Sequence, residues 1–210
     1  MIRYEVIEGR REVVAVLREI VPVYAEVYAE PPYHAGAEDV ERFRAWYLSR
    51  AARYGLRVVR AHDGGELIGV ALGHVLPPDT RVHLLSGFDT TGRTLALNEL
   101  FVRKPWRRQG VGRRLHDEFL DVPGVERATL TARPEAEPAQ AAYRAWGWRK
   151  VGRTQPLADG PVYDLMVKDL SSGRVAARGS SWGRLGQGRY ASAEDRGKHA
   201  DLPGYGSYPG

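Results

Sequence analysis

The chain has 210 residues, 43% of them hydrophobic, with 31 Lys and Arg against 26 Asp and Glu and no cysteine. That length suits one domain with an appendage, and cysteine's absence excludes disulfides, a thiol nucleophile and a thiolate metal site. The net charge of +5 is owed partly to residues 171–210, which hold six Lys/Arg and three Asp/Glu, so the folded part is not basic enough to point to nucleic acid.

No run of about 18 apolar residues is there to span a bilayer. The charged opening MIRYEVIEGRR lacks the apolar core of a secretory signal, so a cytoplasmic address is the default expectation.

Weak alternation over residues 2–6 predicts a first strand. Residues 8–26 predict a helix, with Val13, Val14, Leu17 and Ile20 on one stripe; Pro22 is expected to kink it or divide it in two. An unusually aromatic connection follows, holding Tyr24, Tyr28, Tyr33 and His34, and Pro31 and Pro32 end any helix there. Residues 37–53 predict a second helix on the spacing of Val40, Phe43, Trp46 and Tyr47, with Glu38 and Asp39 favourably placed in its first turn.

Strands are expected at 56–61 and 67–76, joined by the tight turn Asp63-Gly64-Gly65 into a hairpin. Residues 77–92 read as a loop with a short element around 82–85. Residues 95–120 then pass from a strand pattern (Leu95, Leu97, Phe101, Val102) through a basic glycine-containing turn to a helix pattern (Val111, Leu115, Phe119). A turn at 121–126 leads to a strand at 127–131, a polar loop at 133–137 and a helix at 138–146, stopped by Gly147. Strands at 148–153 and 162–167 close the domain. From Ser171 the apolar periodicity vanishes and nine glycines fall in forty residues, so this segment buries too little to offset the entropy of ordering. The division expected is a domain over 1–170 and a disordered tail over 171–210. Arg-Gly pairs in the tail suit RNA contact, but a passive solvated extension is the preferred reading.

The strand, glycine turn and helix of 95–120 have the geometry that presents backbone N–H groups to a phosphate. The first amides of a helix lack internal partners, and the helix dipole adds positive charge there. Gly110 and Gly112 remove side chains that would hold a pyrophosphate away, and Arg103, Lys104, Arg107, Arg108, Arg113 and Arg114 add charge. A Walker loop is excluded because its glycine spacing and Lys-Ser/Thr pair are missing. A dinucleotide fingerprint is excluded because Leu115 stands where its third glycine belongs.

What remains is Arg107-x-x-Gly110-x-Gly112 after a strand ending Asn98-Glu99-Leu100-Phe101-Val102, followed downstream by Ala139-x-x-x-Tyr143-x-x-x-Gly147-Trp148. This combination resembles the acyl-CoA-binding core of the GNAT superfamily of N-acetyltransferases. The resemblance implies an α/β fold with a mixed six- to seven-stranded sheet flanked by about four helices. It implies acetyl-CoA as co-substrate and direct attack of an amine on the thioester, with no metal and no covalent enzyme intermediate. Arg107, Arg108, Gln109, Gly110, Val111, Gly112 and Arg113 would bind the cofactor's phosphates. Leu100, Phe101 and Val102 would bind its arm through backbone groups, and Ala139 would lie beside it. Tyr143 would serve the leaving thiolate, since a tyrosine of pKa ~10 can donate a proton.

Glu99 would be the base: an amine of pKa ~10.4 must lose a proton before it can attack. Its rival role is a structural or merely substrate-contacting acid. Alternation along a strand is expected to put Asn98 and Glu99 on opposite faces. Tyr24, Tyr28, Tyr33 and His34 would line the acceptor pocket, though the residues alone equally allow a packed aromatic cluster. Many members of the family carry an asparagine where Ala136 stands, which puts one cofactor contact in doubt. The six histidines show no metal-ligand spacing, and His116 is expected to face solvent.

The acceptor expected is a small-molecule amine or a peptide or protein amine, with no membrane or nucleic-acid partner; a homodimer is left open. The rival function is a catalytically silent acyl-CoA sensor or partner-binding module of the same fold.

Overall fold

The computed structural model describes residues 1–77, 92–155 and 160–170. The element expected around 82–85 and the tail expected at 171–210 lie outside the described residues. Within them the chain runs β1 (Arg3–Ile7), α1 (Arg10–Tyr28), α2 (Ala37–Arg53), β2 (Arg57–Asp63), β3 (Glu66–Val75) and β4 (Thr94–Val102). A 3₁₀ turn (Lys104–Trp106) then precedes α3 (Val111–Leu120), β5 (Arg127–Ala132), α4 (Glu137–Ala145), β6 (Arg149–Thr154) and β7 (Tyr163–Asp169). The seven described strands form one sheet in the order β1-β2-β3-β4-β5-β7-β6. All its pairs are antiparallel except β4 with β5. The expected mixed sheet with four α-helices is therefore what the chain forms.

Helices cover both faces. Val13, Leu17, Ile20, Tyr24, Phe43 and Tyr47 of α1 and α2 pack with Val58, Val70, Leu72 and Phe101 of the sheet. On the other face Val111, Leu115 and Phe119 of α3 pack with Leu95, Leu97, Leu130 and Met166. The buried Tyr47 hydroxyl donates to the Val13 carbonyl at 2.7 Å and ties α2 to α1.

α1 passes through Pro22 as one helix rather than two pieces. Proline withholds one amide hydrogen bond, but Leu17, Ile20, Val21, Tyr24 and Tyr28 bury one continuous stripe on both sides of it. Tertiary packing supplies most of a helix's stability, and here it spans the interruption.

Two glycines let β3 approach its neighbours. A Cβ on Gly73 would lie 1.8 Å from the Ala96 carbonyl oxygen and 2.8 Å from the Phe119 ring. One on Gly69 would lie 2.9 Å from the Phe101 oxygen.

A bulge interrupts the β3–β4 register: Leu72 faces Glu99 while Gly73 faces Leu97, which leaves Asn98 as the extra residue. Before it, Leu95 and Leu97 face α3; after it, Phe101 faces α1 and α2. Asn98 and Glu99 consequently share the α1–α2 face. Asn98 meets His74, whose ring stacks on Tyr54 just beyond α2, and Glu99 meets Tyr28 of α1. Simple alternation fails because a bulge consumes one residue without advancing the pleat.

Candidate active site

β4 and β5 pair only at their beginnings, Thr94–Ala96 with Arg127–Thr129. Beyond Ala96 the strands part, and among the described residues β4 keeps only β3 as a partner through Val102. The Arg103 amide donates to the Ile68 carbonyl on β3. Peptide groups alternate along an extended strand, so those of Phe101 address β3 and those of Leu100 and Val102 address the opening. The Val102 carbonyl there accepts Nε of Arg107 at 2.8 Å.

The basic turn closes one end of this opening. Gly110 is the residue before α3 and lies in the left-handed region at φ 82°, a conformation glycine adopts without steric cost. No side chain caps the helix, and its first helical bond runs from the Arg114 amide to the Gly110 carbonyl. The amides of Val111, Gly112 and Arg113 therefore precede any intrahelical acceptor. Among the described residues no atom beyond Gly110 and its chain neighbours stands within 4 Å of where a Gly110 Cβ would be, and a Gly112 Cβ would make ordinary contacts at 3.6 Å and 3.8 Å. Packing of the protein does not require these glycines to be bare; a ligand lying against the amides would. The residues fit a pyrophosphate in that place.

The arginines divide. Arg107 forms a bidentate ion pair with Glu30, just beyond α1, at 2.8 Å and 3.3 Å. Arg103 pairs with Glu26 and Glu66, and Arg114 with Glu118. Arg113 bonds Asp117 at 2.6 Å and lies over the Trp146 ring. Gln109 turns back to the Pro105 carbonyl at 2.7 Å. Among the described residues Arg108 and Lys104 form no ion pair, and both are exposed. Much of the turn's positive charge is thus spent on fixing its shape.

Glu99 is 2% exposed and lies against Tyr28. The Tyr28 hydroxyl donates to its Oε2 at 2.5 Å, while Oε1 is buried with no hydrogen-bond partner. No described cation pairs with it. Desolvation is the largest influence on its carboxyl and pushes it from 4.5 up to about 8, against a smaller opposing pull from the Tyr28 hydrogen bond.

Tyr24, Tyr28 and Tyr33 stand in series, with ring centroids 4.4 Å and 4.8 Å apart. All three hydroxyls are held protonated above the ordinary range, first by burial and next by the charge of Glu99. His34 is exposed and stands outside this group.

Tyr143, on α4, is 9% exposed and packs edge-on to Trp146 and Trp148. Its hydroxyl has no hydrogen bond among the described residues. Burial raises its pKa, and the neighbouring Tyr33 and Glu99 raise it further. The structure therefore brings Glu99, Tyr24, Tyr28, Tyr33 and Tyr143 into one electrostatic neighbourhood. Ala139, half-buried, lies one turn before Tyr143 on α4, and Ala136, 2% exposed, precedes the helix without capping it.

His116 is fully buried, not solvent-facing. The Trp148 indole donates to its Nε2 at 2.9 Å, and Nδ1 meets Asp117 at 2.8 Å. That pairing makes Nδ1 the protonated nitrogen, and burial lowers the pKa. The network joins α3 to the start of β6. Nothing around Trp148 in the chain points to a partner on a helix some thirty residues earlier.

Two further residues neighbour Tyr33 and carry no sequence signal. Tyr163 opens β7 and is pushed up to about 12 by burial despite nearby Arg133. Arg133, just past the end of β5, stacks over Tyr33 at 5.6 Å. Neither lies in a local motif, because each reaches the site only through sheet topology.

A parallel pair that parts, an uncapped helix with bare glycines after it, and a buried carboxyl on the parting strand are the marks of an acyl-CoA-type transferase fold. A sequence model described as the acetyltransferase (GNAT) family matches residues 17–148, and the chain belongs to that family. Solved structures agree on the fold. The ribosomal-protein-S18-alanine N-acetyltransferase of Escherichia coli superposes with a TM-score of 0.57 at 18% identity, over 85% of this chain and 99% of that one. NAA60 of Arabidopsis thaliana with acetyl-CoA gives 0.59 at 16%, over 81% and 99%. The PaiA N-acetyltransferase of Thermoplasma acidophilum, in complex with coenzyme A, gives 0.54 at 15%, over 80% and 99%. No curated protein matches the sequence. Among the described residues no group of His, Cys, Asp or Glu is arranged to hold a metal, and no helix is long and apolar enough to cross a membrane.

Proposed function

We propose that the protein moves the acetyl group of acetyl-CoA to an amine by direct nucleophilic attack. The observation that carries this reading is the buried, cation-free carboxylate of Glu99, with one oxygen fixed by Tyr28 and the other unpartnered. Such a group is costly in an apolar site unless a cation arrives beside it. An acceptor's ammonium is that cation.

Beside that cation Glu99 gives up its own proton to solvent, and the ionised Oε1 then takes the proton that frees the amine's lone pair. A carboxyl near 8 lies closer to an amine of pKa ~10.4 than an ordinary carboxylate does, so the transfer is less uphill. Tyr24, Tyr28 and Tyr33 exclude water and orient the acceptor by their ring faces, which attract cations. The amides of Val111, Gly112 and Arg113, with Arg108, hold the phosphates. Leu100 and Val102 offer backbone groups to the arm. When bound, acetyl-CoA supplies an activated acyl thioester. Tyr143 keeps its proton at working pH and holds it available for the leaving group.

Ala136 favours a second reading, a CoA-binding module without turnover, because the family's asparagine is missing there. Release of free CoA thiol from acetyl-CoA in the presence of an amine panel separates the two. Tight CoA binding with no release from any amine would overturn the catalytic reading.

A further inference from the structure

The aromatic site holds a second ionisable group without a counter-charge among the described residues. Arg133 is 9% exposed, as deeply placed as Tyr143. One terminal nitrogen reaches the Pro32 carbonyl at a long 3.4 Å, its plane stacks over Tyr33, and its Nε is buried with no hydrogen-bond partner. Tyr163 also bonds to it. It forms no ion pair among the described residues. Glu135, two residues on, is exposed and makes no ion pair with it.

Arg60, equally buried, is matched by Glu5 and Glu19. An unmatched guanidinium in a desolvated place is expensive, and its planar fork is shaped for a carboxylate. Three contacts in series relate it to the base: Arg133 over Tyr33, Tyr33 against Tyr28, and Tyr28 to Glu99. One wall of tyrosines thus carries an unpaired cation at one end and an unpaired carboxyl at the other. The two do not form an ion pair with each other.

We propose that Arg133 anchors a carboxylate carried by the acceptor itself, so that the acceptor is an amino-acid-like zwitterion whose amine addresses Glu99. This rests on the acetyl-transfer reading above and narrows its substrate class. The zwitterion satisfies both ends at once, and an amine without an acid group leaves the guanidinium unpaired. Discrimination by a site that loses a charge-assisted hydrogen bond is about 10- to 100-fold.

The test uses matched sets: α-amino acids and ω-aminocarboxylates, each with its amide and its decarboxylated amine. CoA release is followed for the full-length protein, with CoA binding measured separately by calorimetry. Expected is a kcat/KM at least tenfold higher for the carboxylate of each productive set. Arg133→Met should abolish that preference, lowering kcat/KM for each carboxylate at least tenfold more than for its matched amine, with CoA affinity kept. Arg133→Lys, which keeps charge but not the fork, should retain part of the preference. A merely structural arginine would lower all members of a set alike. Equal rates for carboxylate and amide, a preference that survives in Arg133→Met, or turnover of none of the carboxylates while CoA still binds would each overturn the proposal. Absence of CoA binding would overturn the acetyl-transfer reading instead.

Discussion

Replacing Glu99 by glutamine removes a charge while leaving a carbonyl oxygen where Tyr28 donates at 2.5 Å. Burial moves the carboxyl from its ordinary 4.5 to about 8. One pKa unit corresponds to ~1.4 kcal/mol, so ionising Glu99 in the folded chain costs on the order of 5 kcal/mol. Over this range the folded chain binds a proton that the unfolded chain has released. The stability contributed by protonated Glu99 is therefore full below about 4.5 and is lost as pH rises through about 8. The variant does not titrate. At pH 5 it should match the wild type within about 1 kcal/mol, since neutral acid and amide are near equivalents. At pH 9 it should be the more stable by several kcal/mol. Urea denaturation of both proteins at intervals of half a pH unit reads the difference directly, and the pH dependence of all other groups cancels. A difference that stays constant between pH 5 and pH 9 would refute the buried, unpaired carboxylate. In turnover the same variant should lose on the order of 10²-fold or more.

Gly112→Ala places a methyl group at ordinary contact distances, 3.6 Å and 3.8 Å, and should leave stability unchanged or raised by roughly 0.5–1 kcal/mol. Its CoA affinity, read by calorimetry, should fall at least tenfold; an undiminished affinity would remove the phosphate cradle. Tyr143→Phe deletes a hydroxyl with no hydrogen bond among the described residues. Expected are a stability change below about 1 kcal/mol, intact CoA binding and a kcat lower by about 10²-fold; unchanged kcat would sink the assigned role. Gly73→Ala forces a Cβ to within 1.8 Å of the Ala96 oxygen, and thermal or urea unfolding should show a loss above ~3 kcal/mol. A fully stable variant would contradict the β3–β4 register.

Elements with strong local periodicity are legible in the amino-acid order. Residues 37–53 form the helix their spacing predicts, and the passage from strand through glycine turn to helix over 95–120 stands as expected. These rest on interactions between residues three or four apart, or on backbone freedom at one glycine, which the chain encodes locally. The candidate residues Glu99, Tyr143 and Gly110 likewise lie in short motifs. The continuity of α1 through Pro22, the shared face of Asn98 and Glu99, and the burial of His116 are not legible there. Each is set by what packs from elsewhere: a stripe buried on the sheet, a bulge against β3, an indole on the next strand but one.

Sequence by itself determined the order of elements, the basic glycine turn and the family, because backbone geometry and helix-end chemistry repeat at fixed spacings. Tertiary structure alone decided which charges go unpaired. Glu30 takes up Arg107, while Glu99 and Arg133 meet no counter-charge among the described residues. Pairing depends on distances across the fold, to which spacing along the chain is blind.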